Sequence, residues 1–284
     1  MIGVNANGIK SKLGSLDFLM SELKPAIICI QETKCKRPGT IKCNNSANYV
    51  CFELNRKLSG GGGVATLVKP DLEPVLVFPG SDEEEILVVE VHVEGLHVRV
   101  INAYAPQACD NKDKKQNFWA RMNAEVKSAN EANTAIIIQM DGNCHGVVED
   151  DTSGCDENGN LFNTFLEQNQ NLSLINGTLK CSGKITRRRE KAGKVEESIL
   201  DYFLCCDKIE RYLTSMEIDE ARKYALSSFI RGKHTDSDHF TGIFKFEIKF
   251  KKQKPDRQEM FKFKDCEGQK MYKDILEKED NLET

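Results

Sequence analysis

An aspartate set inside an apolar strand is the most informative chemical feature of this chain. Asp201 lies within Ile199-Leu200-Asp201-Tyr202-Phe203-Leu204, where an unpaired carboxylate is costly to bury. It needs a partner. His239, which with Asp238 precedes the last apolar run, can supply one, because a His–carboxylate pair satisfies both groups and fixes the imidazole tautomer. Other polar residues stand where apolar runs end. Asn5 and Asn7 follow Ile2-Gly3-Val4, Glu32 closes the run from Ala26 to Gln31, Asn102 and Tyr104 close the run that begins at Val98, and Asp141 and Asn143 follow Ile136-Ile137-Ile138-Gln139-Met140. Each alone is an ordinary strand end. Together, carboxylates, one imidazole and several amide and phenol groups suit metal-assisted hydrolysis of a phosphodiester. Glu32 is a hard oxygen donor suited to Mg²⁺ or Mn²⁺, which keep waters and borrow phosphate oxygens. Asp141 would activate or orient the attacking water, while Asn143 and His239 would stabilise charge developing on phosphorus. No nucleophile elbow and no P-loop occur, which argues against covalent acyl chemistry and nucleotide triphosphate binding.

Side chains at strand ends meet only if the strands lie side by side, so the flanking elements matter. Leu13, Leu16, Leu19, Met20 and Leu23 recur at helical spacing and Pro25 ends the pattern. Short apolar runs at 26–30, 64–68 and 135–140 read as buried strands, the second preceded by the turn Ser59-Gly60-Gly61-Gly62-Gly63. Segments 86–93 and 96–104 read as paired strands around Glu94-Gly95. Helices are expected over 115–128, with Phe118, Trp119, Met122 and Val126 as a core face, and over 160–169; further strands are expected over 199–204 and 242–250. Strands mixed with helices, several hairpin-linked, predict a layered α/β domain over residues 1–250. From about Lys251 the chain turns polar and basic, so 251–284 reads as a tail or linker in which Met271, Ile275 and Leu276 could mark one amphipathic helix.

Composition narrows the setting. The 284 residues are 39% hydrophobic and 30% charged, as in a soluble globular protein. No apolar run approaches the roughly 18 residues of a membrane span. No basic region followed by an apolar stretch opens the chain, so an intracellular protein, nuclear or cytoplasmic, is expected. Eleven cysteines without a CxxC pair read as reduced thiols. Forty Lys and Arg against 44 Asp and Glu give a net charge of −4, which excludes a uniformly basic coat but not a local patch. Such a patch exists: Arg187, Arg188, Arg189, Lys191 and Lys194 oppose only Glu190. A turn-rich loop is expected there, just before Asp201, able to reach a phosphate backbone.

The segments Asn5-Ala6-Asn7-Gly8, Gln31-Glu32-Thr33-Lys34, Asn102-Ala103-Tyr104-Ala105-Pro106, Asp141-Gly142-Asn143, Leu200-Asp201-Tyr202 and Ser237-Asp238-His239 resemble, in order, the motifs of the endonuclease/exonuclease/phosphatase family. The resemblance implies a four-layer α/β sandwich, two packed mixed sheets flanked by helices, with one divalent metal in the cleft between the sheets. It also implies roles. Glu32 would be the principal Mg²⁺ (or Mn²⁺) ligand, with Asn5, Asn7 and Asp238 near the ion. Asp141 would position the water, and Asn143, Tyr104 and His239 would contact the scissile phosphate. Asp201 would orient His239. Departures are Met140, where the family usually has glycine, Gly142 at a usually apolar position, Asn7 at a position often acidic, and a first strand that looks clipped because Met1 lies just before it.

Within the family the chain most resembles the endonuclease domain of non-LTR retrotransposon polyproteins, which nicks one strand of DNA and leaves a 3′-hydroxyl. DNA is then the expected partner, bound in part by Lys34, Arg187, Arg188, Arg189 and Lys191. Residues 259–276 resemble the connector into a reverse transcriptase, a domain that would be expected downstream and has no motif in this sequence. The same site would also serve an abasic-site repair endonuclease, or a phosphatase or phosphodiesterase acting on a small-molecule or lipid phosphate.

Overall fold

The computed structural model describes residues 1–56, 61–148, 154–230 and 232–248. The tail expected over 251–284, with its amphipathic helix and connector, lies outside the described residues. In chain order the elements are β1 (Ile2–Asn5), α1 (Leu13–Leu23), β2 (Ile27–Gln31), β3 (Val50–Leu54), β4 (Val64–Val68), β5 (Val75–Phe78), β6 (Ile86–Val93), β7 (Leu96–Tyr104), α2 (Lys112–Glu131) and β8 (Ala135–Asp141). There follow α3 (Glu157–Gln168), β9 (Leu172–Leu174), β10 (Cys181–Ser182), β11 (Arg187–Lys191), β12 (Lys194–Ser198), β13 (Asp201–Cys206), α4 (Asp207–Glu210), β14 (Leu213–Ile218), β15 (Ser227–Ile230), β16 (Lys233–Asp236) and β17 (Gly242–Phe246).

The β-branched runs assemble into two mixed sheets, ordered β10-β14-β17-β1-β2-β4-β3 and β5-β6-β7-β8-β13-β9. Leu16 and Leu19 of α1 pack with Ile28 and Ile30 on the first sheet. Phe118, Trp119, Phe162 and Phe165 of α2 and α3 join the core of the second. Trp119 stacks on Phe162 with ring centroids 5.2 Å apart, so this aromatic face is core, as its spacing indicated. Helices therefore flank both sheets, giving the expected α/β sandwich. No helix among the described residues is long and apolar enough to cross a membrane. Cys29, Cys35, Cys43, Cys51, Cys109, Cys155, Cys181, Cys205 and Cys206 are free thiols.

Where the sheets meet, close approach selects small or fully paired residues. A Cβ on Gly3 would lie 2.2 Å from the end of the Gln139 side chain, so glycine lets β1 and β8 pass without displacing that side chain. Phe203 stacks on Phe244 across the interface at 4.0 Å. Asn102 is fully buried and donates from Nδ2 to Ala65 O at 2.8 Å. Its Oδ1 accepts from Gln31 Nε2 at 2.7 Å. One amide thus ties β7 to β2 and β4. Asn102→Leu takes the acceptor from the buried Gln31 Nε2 donor, at roughly 1–3 kcal/mol; urea unfolding should report that loss, and an unchanged midpoint would discount the tie.

The short first strand lies well inside its sheet. β1 pairs in parallel with β2 from Ile2↔Ile28 to Asn5↔Gln31 and antiparallel with β17 through Ile2↔Ile243 and Gly3↔Gly242.

Four sequence expectations need correction. The strand expected over 242–250 runs Gly242–Phe246, because its partner β14 begins at Leu213, opposite Phe246. The segment 187–194 is not a turn-rich loop; it builds the hairpin β11–β12, with Arg187↔Ser198 to Lys191↔Lys194 in register. Ala192 and Gly193 both take positive φ, +50° and +74°, which is the two-residue turn whose twist matches paired strands. The strand expected over 199–204 runs Asp201–Cys206, because Thr186 Oγ1 takes the Leu200 and Asp201 N–H groups at 2.8 and 3.0 Å. The helix expected over 160–169 begins at Glu157, where Asp156 caps it by accepting from Gly159 N at 2.7 Å.

Candidate active site

Register alone sets three of the key side chains in a row. Tyr104 pairs with Asp141 across β7–β8, and Asp141 pairs with Asp201 across β8–β13. The β1–β2 pairing brings Asn5 level with Gln31, one residue before Glu32. Ser237 pins the opposite wall, its Oγ donating to Asn5 O at 2.6 Å, and delivers Asp238 and His239 to the same place.

The interior of the site is a hydrogen-bonded chain of buried groups. His239 Nδ1 meets Asp201 Oδ2 at 2.8 Å, which leaves Nε2 3.9 Å from Asp141 Oδ2. Asp141, 1% exposed, accepts from Asn5 Nδ2 at 2.7 Å and from Asn143 N at 3.0 Å. Burial pushes the Asp141 carboxyl well above the usual carboxylate range and the Asp201 charge adds to this, against the opposing pull of His239 and the two amide donors. Burial works against a charged His239, but the Asp201 carboxylate and its hydrogen bond, then Asp141 and Asp238, outweigh it and hold the imidazole pKa above its ordinary value.

Toward solvent the polar groups form a rim. Tyr104 donates to Glu32 Oε1 at 2.5 Å and receives Gln107 Nε2 at 2.9 Å. Burial raises the Tyr104 pKa, and Asp141 and Glu32 raise it further, so the phenol stays protonated and acts as a donor. Asn7 Nδ2 donates to Asp238 Oδ1 at 2.9 Å, and Arg187 Nε to Asp238 Oδ2 at 2.9 Å. Burial opposes ionisation of Asp238, yet His239, Arg187 and Asn7 together keep its pKa low. The rim surrounds a cleft of about 520 Å³. Asn7, Glu32, Lys34 and Asn143 all adopt left-handed backbone, with φ of +44°, +47°, +53° and +43°. Such strain in non-glycine residues collects at functional sites.

The donor set fits a hard divalent cation. Lys34 Nζ lies 3.0 Å from Glu32 Oε2 and 2.5 Å from Asn7 Oδ1, so these two oxygens already converge on one positive charge, with Asp238 bonded to Asn7. All are oxygen donors, the set that Mg²⁺ and Mn²⁺ prefer. Asp141, Asp201 and His239 also offer ligand atoms within 4.8 Å of one another. Within that trio His239 Nδ1 is bonded to Asp201 and Asp141 accepts from Asn5.

Of the expected DNA-binding cations, the cleft is lined by Lys34, Arg187 and Arg189. Arg188 turns away, its Nη2 2.6 Å from Glu197, with its guanidinium over the Phe240 ring at 5.6 Å. Lys191 is exposed at the far end of β11. Asn5 is fully buried beneath Asp141 rather than at the rim.

The sequence reading missed Gln107, Ser237 and Glu85. Glu85 is buried; its carboxylate accepts from Gly63 N and pairs with Arg56 Nη2 at 2.6 Å, while its carbonyl accepts from Tyr104 N at 2.9 Å. Gly63 O and Gly62 O in turn receive Thr33 N and Lys34 N at 3.0 and 2.9 Å. Glu85 therefore braces both Tyr104 and the backbone just after Glu32. The available signal was a third glutamate abutting the apolar run that starts at Ile86.

No family model matches the sequence. An exodeoxyribonuclease III of Haemophilus influenzae is 25% identical over 154 residues, 50% of this chain and 56% of that protein. The chain thus spans about half the length of the curated relative it matches. Among solved structures, the endonuclease domain of TRAS1, a telomere-specific non-LTR retrotransposon, superposes with TM-score 0.63 at 17% identity, over 88% of this chain and 98% of that one. The AP endonuclease LMAP from Leishmania major gives 0.65 at 16% identity over 87% of each chain. The 3′ phosphatase NExo from Neisseria, bound to a product DNA hairpin, gives 0.65 at 16% identity over 87% of this chain and 98% of that one. With its two mixed sheets and flanking helices, this chain has the fold of the endonuclease/exonuclease/phosphatase proteins.

Proposed function

We propose that this chain is a divalent-metal-dependent DNA endonuclease that hydrolyses one phosphodiester bond and leaves a 3′-hydroxyl, in the manner of a retrotransposon nicking domain. The observation that carries the reading is the convergence of the Asp201–His239 pair and Asp141 on one cleft that also presents Glu32.

Glu32, with Asn7 and Asp238 beside it, would hold Mg²⁺, or Mn²⁺ in its place. When bound, the ion supplies neutralising charge to the phosphate and the leaving oxygen. The protein side chains do the rest. Asp141, its proton affinity raised by burial, takes a proton from the water that attacks phosphorus. His239, protonated and oriented by Asp201, offers Nε2–H to a non-bridging oxygen, where negative charge grows in the transition state. Asn143 is a further donor to that phosphate, while the Tyr104 phenol, kept neutral by its surroundings, gives its one proton to Glu32 and holds that carboxylate in place. Asn5 acts through Asp141, holding the carboxylate toward the cleft. The P–O3′ bond breaks and the departing O3′ takes a proton from solvent water, giving a 3′-hydroxyl and a 5′-phosphate.

Incision at abasic sites is a second reading, favoured by the likeness to the Leishmania AP endonuclease. Supercoiled plasmid with Mg²⁺, with and without EDTA, tests the first reading. A duplex carrying one abasic site tests the second, through cleavage far faster than that of intact plasmid. Metal-independent nicking would overturn both.

Arg189 lines the cleft, and Arg188 is paired with Glu197. Arg189→Ala is therefore expected to weaken duplex binding and to flatten log K against log salt by about 0.9, the value for one phosphate contact. Arg188→Ala should leave the slope alone. Equal effects from the two variants would show that the hairpin does not face the DNA as proposed.

A further inference from the structure

We propose that the β15–β16 ribbon is a second DNA-contacting element, with Phe229 packing against a base or sugar close to the scissile phosphate; this rests on the nuclease reading above. The ribbon pairs from Ser227↔Asp236 to Ile230↔Lys233 and forms a two-stranded sheet separate from both large ones. Its two faces differ. Ser228 is buried, and Ser15 Oγ ties Ser227 to the body of the protein through its N–H and carbonyl at 3.2 and 2.9 Å. The opposite face carries Phe229, 73% exposed, directly across from His234, whose side chain is 62% exposed.

A single exposed phenylalanine is unremarkable in itself; the position of this one is not. β16 runs without interruption into Ser237, Asp238 and His239. The junction is fixed: Ser237 N donates to Leu226 O at 2.8 Å, and Arg222 bonds Ser237 O and lies 3.6 Å from Asp236. His234 is four residues from Asp238, a span of at most about 14 Å, and Phe229 is one strand spacing of about 5 Å further. Phe229 thus stands within about 19 Å of Asp238, fewer than six base steps at about 3.4 Å each.

On its other flank the same tripeptide is held by β11, with Arg188 N donating to Asp238 O at 2.8 Å. Asp238 and His239 are therefore clasped between one ribbon rich in guanidinium groups and one that presents an aromatic face. The first suits phosphates of any sequence; the second suits a base or sugar, to which an aromatic ring can stack or wedge. His234 stands across from the ring on the same face, and Asp236 on the same ribbon is engaged by Arg222 and His234.

The test uses anisotropy of a labelled 20-base-pair duplex with EDTA present to stop cleavage. Phe229→Ala is expected to weaken binding about 5- to 150-fold, the range for losing one aromatic stacking contact, by the same factor at every salt concentration. Phe229→Trp supplies a direct signal, because the chain's single tryptophan, Trp119, is 3% exposed in the core; its emission should be quenched on adding duplex. Binding by Phe229→Ala within twofold of wild type, together with unmoved Phe229→Trp emission while wild type binds, overturns the proposal and leaves the nuclease reading standing. Loss of self-association in Phe229→Ala without change in DNA binding overturns it in favour of a second copy of this chain. A wild-type protein that neither binds nor nicks DNA overturns both readings.

Discussion

Asp141→Asn protein is expected to nick supercoiled plasmid about 10²- to 10⁴-fold more slowly than wild type in Mg²⁺, the usual span for removing a positioned base. The substitution nearly preserves shape. An amide oxygen can still accept from Asn143 N, which now bonds Asp141 Oδ1 at 3.0 Å, so the backbone turn after β8 keeps its support. What is lost is the ability to take a proton from water. Duplex affinity should change little, because Lys34, Arg187 and Arg189 are untouched. Thermal stability should fall modestly: the neutral amide removes the repulsion with Asp201, but its Nδ2 takes the place of the oxygen that accepts from Asn5 Nδ2 at 2.7 Å, leaving two donors face to face. The combination of a large loss of rate, retained binding and a protein still folded at the assay temperature separates a chemical role from a structural one. A rate within tenfold of wild type would remove Asp141 as the base.

Much of this site was legible because strand ends are where apolar pattern and polar chemistry collide. Glu32, Tyr104 and Asp141 each end an apolar run, and in-register pairing then sets Tyr104, Asp141 and Asp201 abreast. The Asp201–His239 pair followed from the cost of burying a lone carboxylate. The arginines were harder to read. Taken as a loop, Arg187, Arg188 and Arg189 looked equivalent; as a strand they alternate, so Arg187 and Arg189 face the cleft and Arg188 faces Glu197. The turn that makes the hairpin is Ala192-Gly193, weaker as a sequence signal than Asn-Gly. Glu85 escaped notice for another reason. Its role depends on Gly62 and Gly63 arriving from a distant turn, and a Cβ on Gly62 would lie 2.3 Å from the Glu85 carboxylate, a contact that no local pattern announces. Phe229 likewise has no periodic context; only the ribbon's anchorage beside Asp238 gives it meaning.

His239→Ala should slow nicking by about 10²- to 10³-fold, the span for removing one charge-stabilising donor, and its pairing with Asp201 makes a sharper claim possible. In the proposed mechanism Asp201 never meets the phosphate; it acts by holding Nδ1 of His239 at 2.8 Å and keeping Nε2 turned toward the cleft. Asp201→Asn is therefore expected to lower the rate substantially in the wild-type background and to add almost nothing to His239→Ala. In a double-mutant cycle, the coupling should approach the whole of the Asp201 effect. Independent contributions, in which the two losses multiply, would mean that Asp201 serves the reaction by another route. Folding can be kept out of that comparison, since each variant can be checked by urea unfolding before its rate is measured. If Asp201 mattered only as a buried group in β13, the double variant would lose stability without the rates showing this saturation. The cycle thus distinguishes a positioned imidazole from a merely well-packed one, because only the first makes one partner's removal cancel the value of the other.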